Sequence, residues 1–147
     1  EKPGLVIAPV DFKRVVLDAI ETSRTNVVVS GDPTTIDADD EEIYKVVLNL
    51  LLNAQEATDD GSPVTVKISK NDNYAYLSVQ DMGCGMSREF IENNLFKPFS
   101  TTKKHGFGIG LYQCKQIIES HQGHISATSV VGEGTVFTIQ LPLAPEL

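Results

Sequence analysis

Residues 39–58 read DDEEIYKVVLNLLLNAQEAT, a capped helical period that carries two asparagines in its interior. Asp39 and Glu42 stand at the spacing of a capping box, with Asp in place of the usual Ser or Thr. Ile43, Val46, Val47, Leu50, Ala54 and Ala57 then recur three and four apart, which predicts a helix running to about Thr58. Leu48, Leu51 and Leu52 add apolar surface on the remaining sides, so this helix should be largely buried. Yet Glu42, Lys45, Asn49, Asn53 and Glu56 share one face. A solvated face is the plain reading. Asparagine is a poor helix former usually found in caps, however, and two of them one turn apart want a reason. Amide oxygens are competent hard ligands for Mg2+, and amide N–H groups can bond phosphates.

On the N-terminal side, residues 10–24 place Phe12, Val15, Val16, Ala19 and Ile20 at helical spacing, with Asp11 positioned to cap them. The β-branched runs at residues 27–30 and 34–36 flank Gly31-Asp32-Pro33 and are expected to form a small hairpin. On the C-terminal side, Asp59-Asp60-Gly61-Ser62-Pro63 breaks the long helix. Residues 64–69 and 74–79 alternate apolar with polar about Asn71-Asp72-Asn73, the pattern of a β-hairpin. A short helix is expected over residues 87–95, a loop from Lys97 to Gly110, and a further helix over residues 109–121 capped by Gly123. A closing hairpin joins residues 125–129 to 135–141 across Gly132-Glu133-Gly134. The expected architecture is α+β, a two-layer sandwich of a mostly antiparallel sheet with helices on one face.

With 147 residues and 41% hydrophobic content, one ordinary core and one domain are expected. No apolar run approaches the roughly 20 residues that cross a bilayer, and no secretory signal opens the chain. The expectation is a soluble domain without membrane contact of its own. A chain that begins at Glu1 reads as a piece of a longer protein, whose parent can still be membrane-anchored. Cys84 and Cys114 make no metal-binding spacing and are too few for a disulfide scaffold, which fits a reducing cytoplasm. A net charge of -8 argues against a nucleic-acid partner. An anionic ligand would have to be held by backbone N–H groups, a few lysines and a divalent cation.

Three further segments carry chemistry. Asp81-Met82-Gly83-Cys84-Gly85 ends a strand, where glycines admit a flat ligand and the carboxylate can accept from an exocyclic amine. By itself that pentapeptide reads more readily as a simple turn. Gly106-Phe107-Gly108-Ile109-Gly110-Leu111 opens a helix whose N–H groups and dipole favour an anion; a glycine hinge without ligand is the alternative. A dinucleotide-binding fingerprint is excluded there, since its glycines are spaced differently and follow a strand. Phe96-Lys97-Pro98-Phe99-Ser100-Thr101-Thr102-Lys103-Lys104 offers two aromatic anchors and a lysine pair beside the glycines, although solvated lysines are common.

In this order the segments resemble the ATP-binding domain shared by histidine kinases, Hsp90, DNA gyrase and MutL, over residues 10–143. Residues 1–9 would then be a remnant or linker from a preceding helical domain, and residues 144–147 a tail. Asn49 to Ala54 is similar to that family's N box, Asp81 to Gly85 to its G1 box, Phe96 to Phe99 to its F box and Gly106 to Gly110 to its G2 box, while Gly132-Glu133-Gly134-Thr135 is similar to its last glycine motif. The match is closest to histidine kinases, and residues 98–110 resemble those of nitrogen-regulation-type sensors. The resemblance implies the Bergerat ATP-binding fold and Mg-ATP as cofactor. It assigns Mg2+ to Asn53, the phosphates to Asn49, and the adenine amino group to Asp81, with Gly83, Gly85, Met86 and Thr135 shaping the base pocket.

The resemblance likewise makes Phe99, Thr101, Thr102, Lys103, Gly106, Gly108, Ile109, Gly110 and Leu111 the lid and helix start around the phosphates, with Lys103 the contact to the γ-phosphate. Residues 99–106 are expected to be the most mobile part of the empty protein. Two positions depart from the pattern: Glu56 stands where many histidine kinases have a basic residue, and Ala57 where they have an aromatic. Hydrolytic relatives carry a glutamate one turn before the metal asparagine, where this chain has Asn49, which cannot act as a general base. The resemblance therefore implies phosphoryl transfer to a histidine on a separate dimerisation and phosphoacceptor domain, and onward to a response regulator. An ATPase clamp, a serine kinase on the same fold and a nucleotide-binding adaptor are the alternatives.

Overall fold

Alternation along residues 64–81 forms the central hairpin of the molecule. In the computed structural model, which describes residues 4–58, 61–98 and 110–145, strand β4 (Val64–Lys70) pairs antiparallel with β5 (Tyr74–Asp81). The closing hairpin, β6 (His124–Val130) and β7 (Gly134–Pro142), joins through β7 on β5. Strand β2 (Val27–Ser30) adds to the other edge, giving the order β2-β4-β5-β7-β6 with only the β2–β4 pair parallel. Val66, Ile68, Leu77, Val79, Phe137, Ile139 and Leu141 are buried on the helical side of these strands. Their alternates Tyr76, Ser78, Thr138 and Gln140 are partly exposed on the opposite face.

Helices α1 (Phe12–Ser23), α2 (Asp40–Ala57) and α4 (Leu111–Ser120) complete the core with Phe12, Val16, Ile43, Val47, Leu50, Leu51 and Ile118, while α3 (Arg88–Asn93) is one short turn capped by Ser87. This is the expected two-layer α+β sandwich.

Two local expectations are corrected. The expected hairpin of residues 27–30 with 34–36 does not form: β2 runs parallel to β4, with Val27 opposite Val64, while β3 (Thr35–Ala38) pairs antiparallel with β1 (Ala8–Asp11), a strand that spans the end of the expected linker and the expected start of the first helix. At Gly31, φ is +115° and a Cβ would lie 2.2 Å from the carbonyl oxygen of Ile68, so the chain passes hard against β4 there. Helix α1 starts at Phe12, the first residue of its apolar period, with Asp11 capping it by accepting from the Arg14 N–H at 3.3 Å. At the end of α4 it is Gln122, not Gly123, that takes the left-handed conformation, with φ 63°. Gly123 is needed instead for close approach, since a Cβ there would sit 2.3 Å from the carbonyl oxygen of Gln140.

The start of α2 is tied to two other parts of the chain. Asp39 accepts from the Glu42 N–H at 3.3 Å and from the Val6 N–H at 3.0 Å. Its own N–H donates to Nε2 of the buried His121 at 3.0 Å, so the imidazole proton sits on Nδ1, 2.8 Å from the carbonyl oxygen of Ile117. Donation from Val6, then from Glu42, holds the Asp39 carboxyl below the usual carboxylate range. A carboxyl depressed in the fold stabilises it above the unfolded value and stops doing so as pH falls through the folded value. Asp39→Ala is therefore expected to cost about 1 kcal/mol at neutral pH. In urea unfolding the gap from the wild type should narrow below about pH 4. A gap that stays constant down to roughly pH 2 would show that the carboxylate is not the stabilising group.

Candidate functional site

Asp81 is the last residue of β5 and is buried, 4% exposed, on the helical side of the sheet directly opposite Thr135 of β7. Its Oδ1 accepts from the Gly83 N–H at 2.9 Å and from the Thr135 N–H at 3.2 Å. Both of the carboxylate's hydrogen bonds among the described residues are made by Oδ1. A carboxylate oxygen only accepts, so Oδ2 is open to a donor such as an exocyclic amine.

Three glycines make this arrangement possible by letting backbones touch. A Cβ on Gly83 would lie 2.2 Å from the carbonyl oxygen of Ala57, so the turn after β5 rests on the last residue of α2. A Cβ on Gly85, at φ +73°, would lie 2.2 Å from the Val130 carbonyl oxygen, and one on Gly134, at φ +124°, would lie 2.1 Å from that of Asp81. The Gly83 and Gly85 positions that the sequence singled out are thus brought against both α2 and the closing hairpin. Met86, half-buried against the core, follows directly, and its N–H donates to Ser129 Oγ at 2.7 Å.

Ser129 was missed by sequence reasoning. Its hydroxyl lies 2.7 Å from the Gly134 carbonyl oxygen and 2.9 Å from Thr135 Oγ1, joining the turn after β5 to β7. The signal was present: Ile125, Ala127 and Ser129 share one face of β6, so a polar residue occupies a core-facing position.

On α2, Asn49 is buried at 2% exposure and Asn53 is half-buried, and the Asn53 Nδ2 donates to Asn49 Oδ1 at 3.1 Å. The polar face is therefore not simply solvated: its middle faces inward while Lys45 and Glu56 at its ends are exposed. Among the described residues no cluster of His, Cys, Asp and Glu could hold a metal by itself. The donors available are neutral amides, which suits a cation that arrives with oxygens of its ligand. The Cys114 thiol is pushed up to about 12 by burial and is chemically inert.

Gly110 caps α4, and its N–H donates to Gln113 Oε1 at 2.8 Å; Leu111 packs partly into the core. Phe96 is anchored edge-on to Phe137 with centroids 6.5 Å apart and with Lys115 Nζ 5.8 Å from its ring centre. Phe99, Thr101, Thr102, Lys103, Gly106, Gly108 and Ile109 lie outside the described residues, as does the expectation of a mobile lid.

Residues 38–145 match the family model described as histidine kinase-, DNA gyrase B- and HSP90-like ATPase. The chain is 37% identical over 112 residues to Sporulation kinase C of Bacillus subtilis, covering 76% of this chain and 26% of that protein. It is 37% identical over 119 residues to the signal transduction histidine-protein kinase AtoS of Escherichia coli, covering 80% of this chain and 19% of that one. The chain thus spans about a quarter or less of these relatives. Among solved structures, a mycobacterial sensor histidine kinase, MprB, superposes with a TM-score of 0.84 at 27% identity, covering 96% of this chain and 100% of that one. The catalytic domain of histidine kinase ThkA superposes at 0.80 and 25% identity, covering 95% and 97%.

The backbone contact beneath Gly83 is testable. Gly83→Ala must push α2 and the turn apart and is expected to cost about 1–3 kcal/mol in urea unfolding. Gly110→Ala, where φ is -125° and a Cβ would meet nothing within 4 Å, should stay within about 0.5 kcal/mol of the wild type. Equal effects at the two positions would remove the argument from close approach.

Proposed function

Because the chain belongs to the histidine kinase-, DNA gyrase B- and HSP90-like ATPase family, we propose that it binds Mg-ATP and, as the catalytic domain of a longer sensor kinase, gives the γ-phosphoryl group to a histidine on a separate helical domain. The observation that carries this reading is the seating of the Asp81 turn on the end of α2 through Gly83, which puts the Asp81 carboxylate and a pair of helical amides on neighbouring elements. Asp81 accepts from the adenine amino group, Asn49 faces the phosphates and Asn53 ligands Mg2+ by its amide oxygen. Gly85, Met86 and Thr135 shape the base pocket. Lys103 and the glycine segment ending at Gly110 and Leu111 close on the phosphates.

Mg2+ supplies charge neutralisation at the phosphate oxygens when bound. The protein contributes position: a buried acceptor for the base, neutral ligands for the cation and N–H groups at a helix start, which is what phosphoryl transfer chiefly requires. Asn49 offers no general base for water, so transfer is favoured over hydrolysis. The relatives named as histidine kinases support a histidine acceptor, with a response regulator as the next partner. Among the described residues no helix is long and apolar enough to cross a membrane, and we assign the domain to the cytoplasm, whether or not the parent is membrane-anchored.

Two measurements test this reading. In calorimetry, Asn53→Ala should weaken Mg-ATP about tenfold or more while leaving metal-free ATP nearly unchanged; equal losses would take Asn53 out of the metal role. With γ-labelled ATP and Mg2+, the chain alone should bind nucleotide without labelling itself or releasing phosphate at an appreciable rate. Addition of the helical domain of the parent should restore transfer as acid-labile label on that domain. Acid-labile label accumulating on the isolated chain, or steady phosphate release abolished by a substitution in it, would overturn this division of labour.

A further inference from the structure

The hydroxyl of Ser129 is saturated. An oxygen of this kind can donate one hydrogen bond and accept two. The Met86 N–H, 2.7 Å away, can only donate to it, and the Gly134 carbonyl oxygen, 2.7 Å away, can only accept from it. Two oxygens at that separation without a proton between them would repel, so the serine proton lies on the line to Gly134. Thr135 Oγ1, at 2.9 Å, must then donate to the lone pair of Ser129 that remains. The threonine hydroxyl is left with lone pairs only, and stands directly across the strand pair from Asp81, whose Oδ2 also only accepts.

We propose that Ser129 is a specificity-determining positioning residue: by fixing the direction of the Thr135 proton it makes the end of the base pocket a pair of acceptors, which favours a base bearing an amino group at position 6 and disfavours one bearing a carbonyl. Ser129 itself need not touch the nucleotide. Its effect passes through Thr135, because an unrestrained threonine hydroxyl rotates to donate as readily as to accept and would satisfy a 6-carbonyl. The proposal rests on the nucleotide reading above and adds to it the origin of base discrimination.

The probe is the pair ATP and inosine triphosphate, which differ at position 6 and in protonation of the adjacent ring nitrogen. Their dissociation constants would be measured by calorimetry with Mg2+ on the full 147-residue chain. The wild type should prefer ATP, and Ser129→Ala should cut the ratio about tenfold, mainly by improving inosine triphosphate. Ser129→Thr, which restores a hydroxyl, should keep the ratio. In a Thr135→Val background Ser129→Ala should leave the ratio unchanged, an outcome that a general loosening of the fold would not produce. Ser129→Cys keeps the volume and weakens each bond, and gives the same test should the alanine variant not fold. A ratio within about twofold of the wild type in Ser129→Ala or Ser129→Cys, with ATP still bound, would overturn the role of Ser129 alone. Failure of the wild type to bind either nucleotide would overturn both this inference and the reading beneath it.

Discussion

Two backbone segments must approach more closely than any side chain allows, and the site follows from that constraint. The turn after β5 lies on the Ala57 carbonyl oxygen because residue 83 is glycine, and β7 starts against the Asp81 carbonyl oxygen because residue 134 is glycine. Between them the Asp81 carboxylate is gripped by two backbone N–H groups and held in one orientation. Asp81 is thereby buried with one carboxylate oxygen committed to the backbone of the turn and of β7.

Helix α2 transmits this order through the molecule. Its start is fixed by Asp39, which ties together the N-terminal segment, the first turn of α2 and the end of α4 through His121. Its far end is fixed by the Gly83 turn. With Ile43, Val47, Leu50 and Leu51 fully buried between those two anchors, the helix cannot rotate without exposing core, and so Asn49 and Asn53 hold their direction. Helix α4 joins this arrangement at its end, where His121 meets Asp39, while Leu111 at its start packs against the core.

The pocket also shows how uncharged groups acquire chemical direction. Neither Ser129 nor Thr135 has an intrinsic preference between donating and accepting, yet fixed partners on three sides settle it. Saturating one hydroxyl to polarise the next uses the low local dielectric of a buried site, where a misdirected dipole is costly.

Much of the molecule is legible from local sequence because the forces that specify it are local. The capping pair Asp39 and Glu42, the period from Ile43 to Ala54 and the alternation from Val64 to Val79 each report side-chain facing within one element, and a buried face requires that pattern. The order of the asparagine helix, Asp81 and the glycine segments likewise carried the family resemblance. Strand pairing is different. The runs at residues 27–30 and 34–36 look like a hairpin because they are adjacent, but one found β4 and the other β1, since pairing is decided by which edge can be covered across the whole sheet. Strand β1 was unreadable for the same reason: four residues with a proline gain their conformation only from the partner beside them. The role of Ser129 and the contact of Gly83 with Ala57 depend on atoms brought together from positions tens of residues apart. Composition and spacing determined which chemistry the chain carries; only the tertiary structure decided which backbones touch and which way a hydroxyl proton points, because those are properties of contacts between elements.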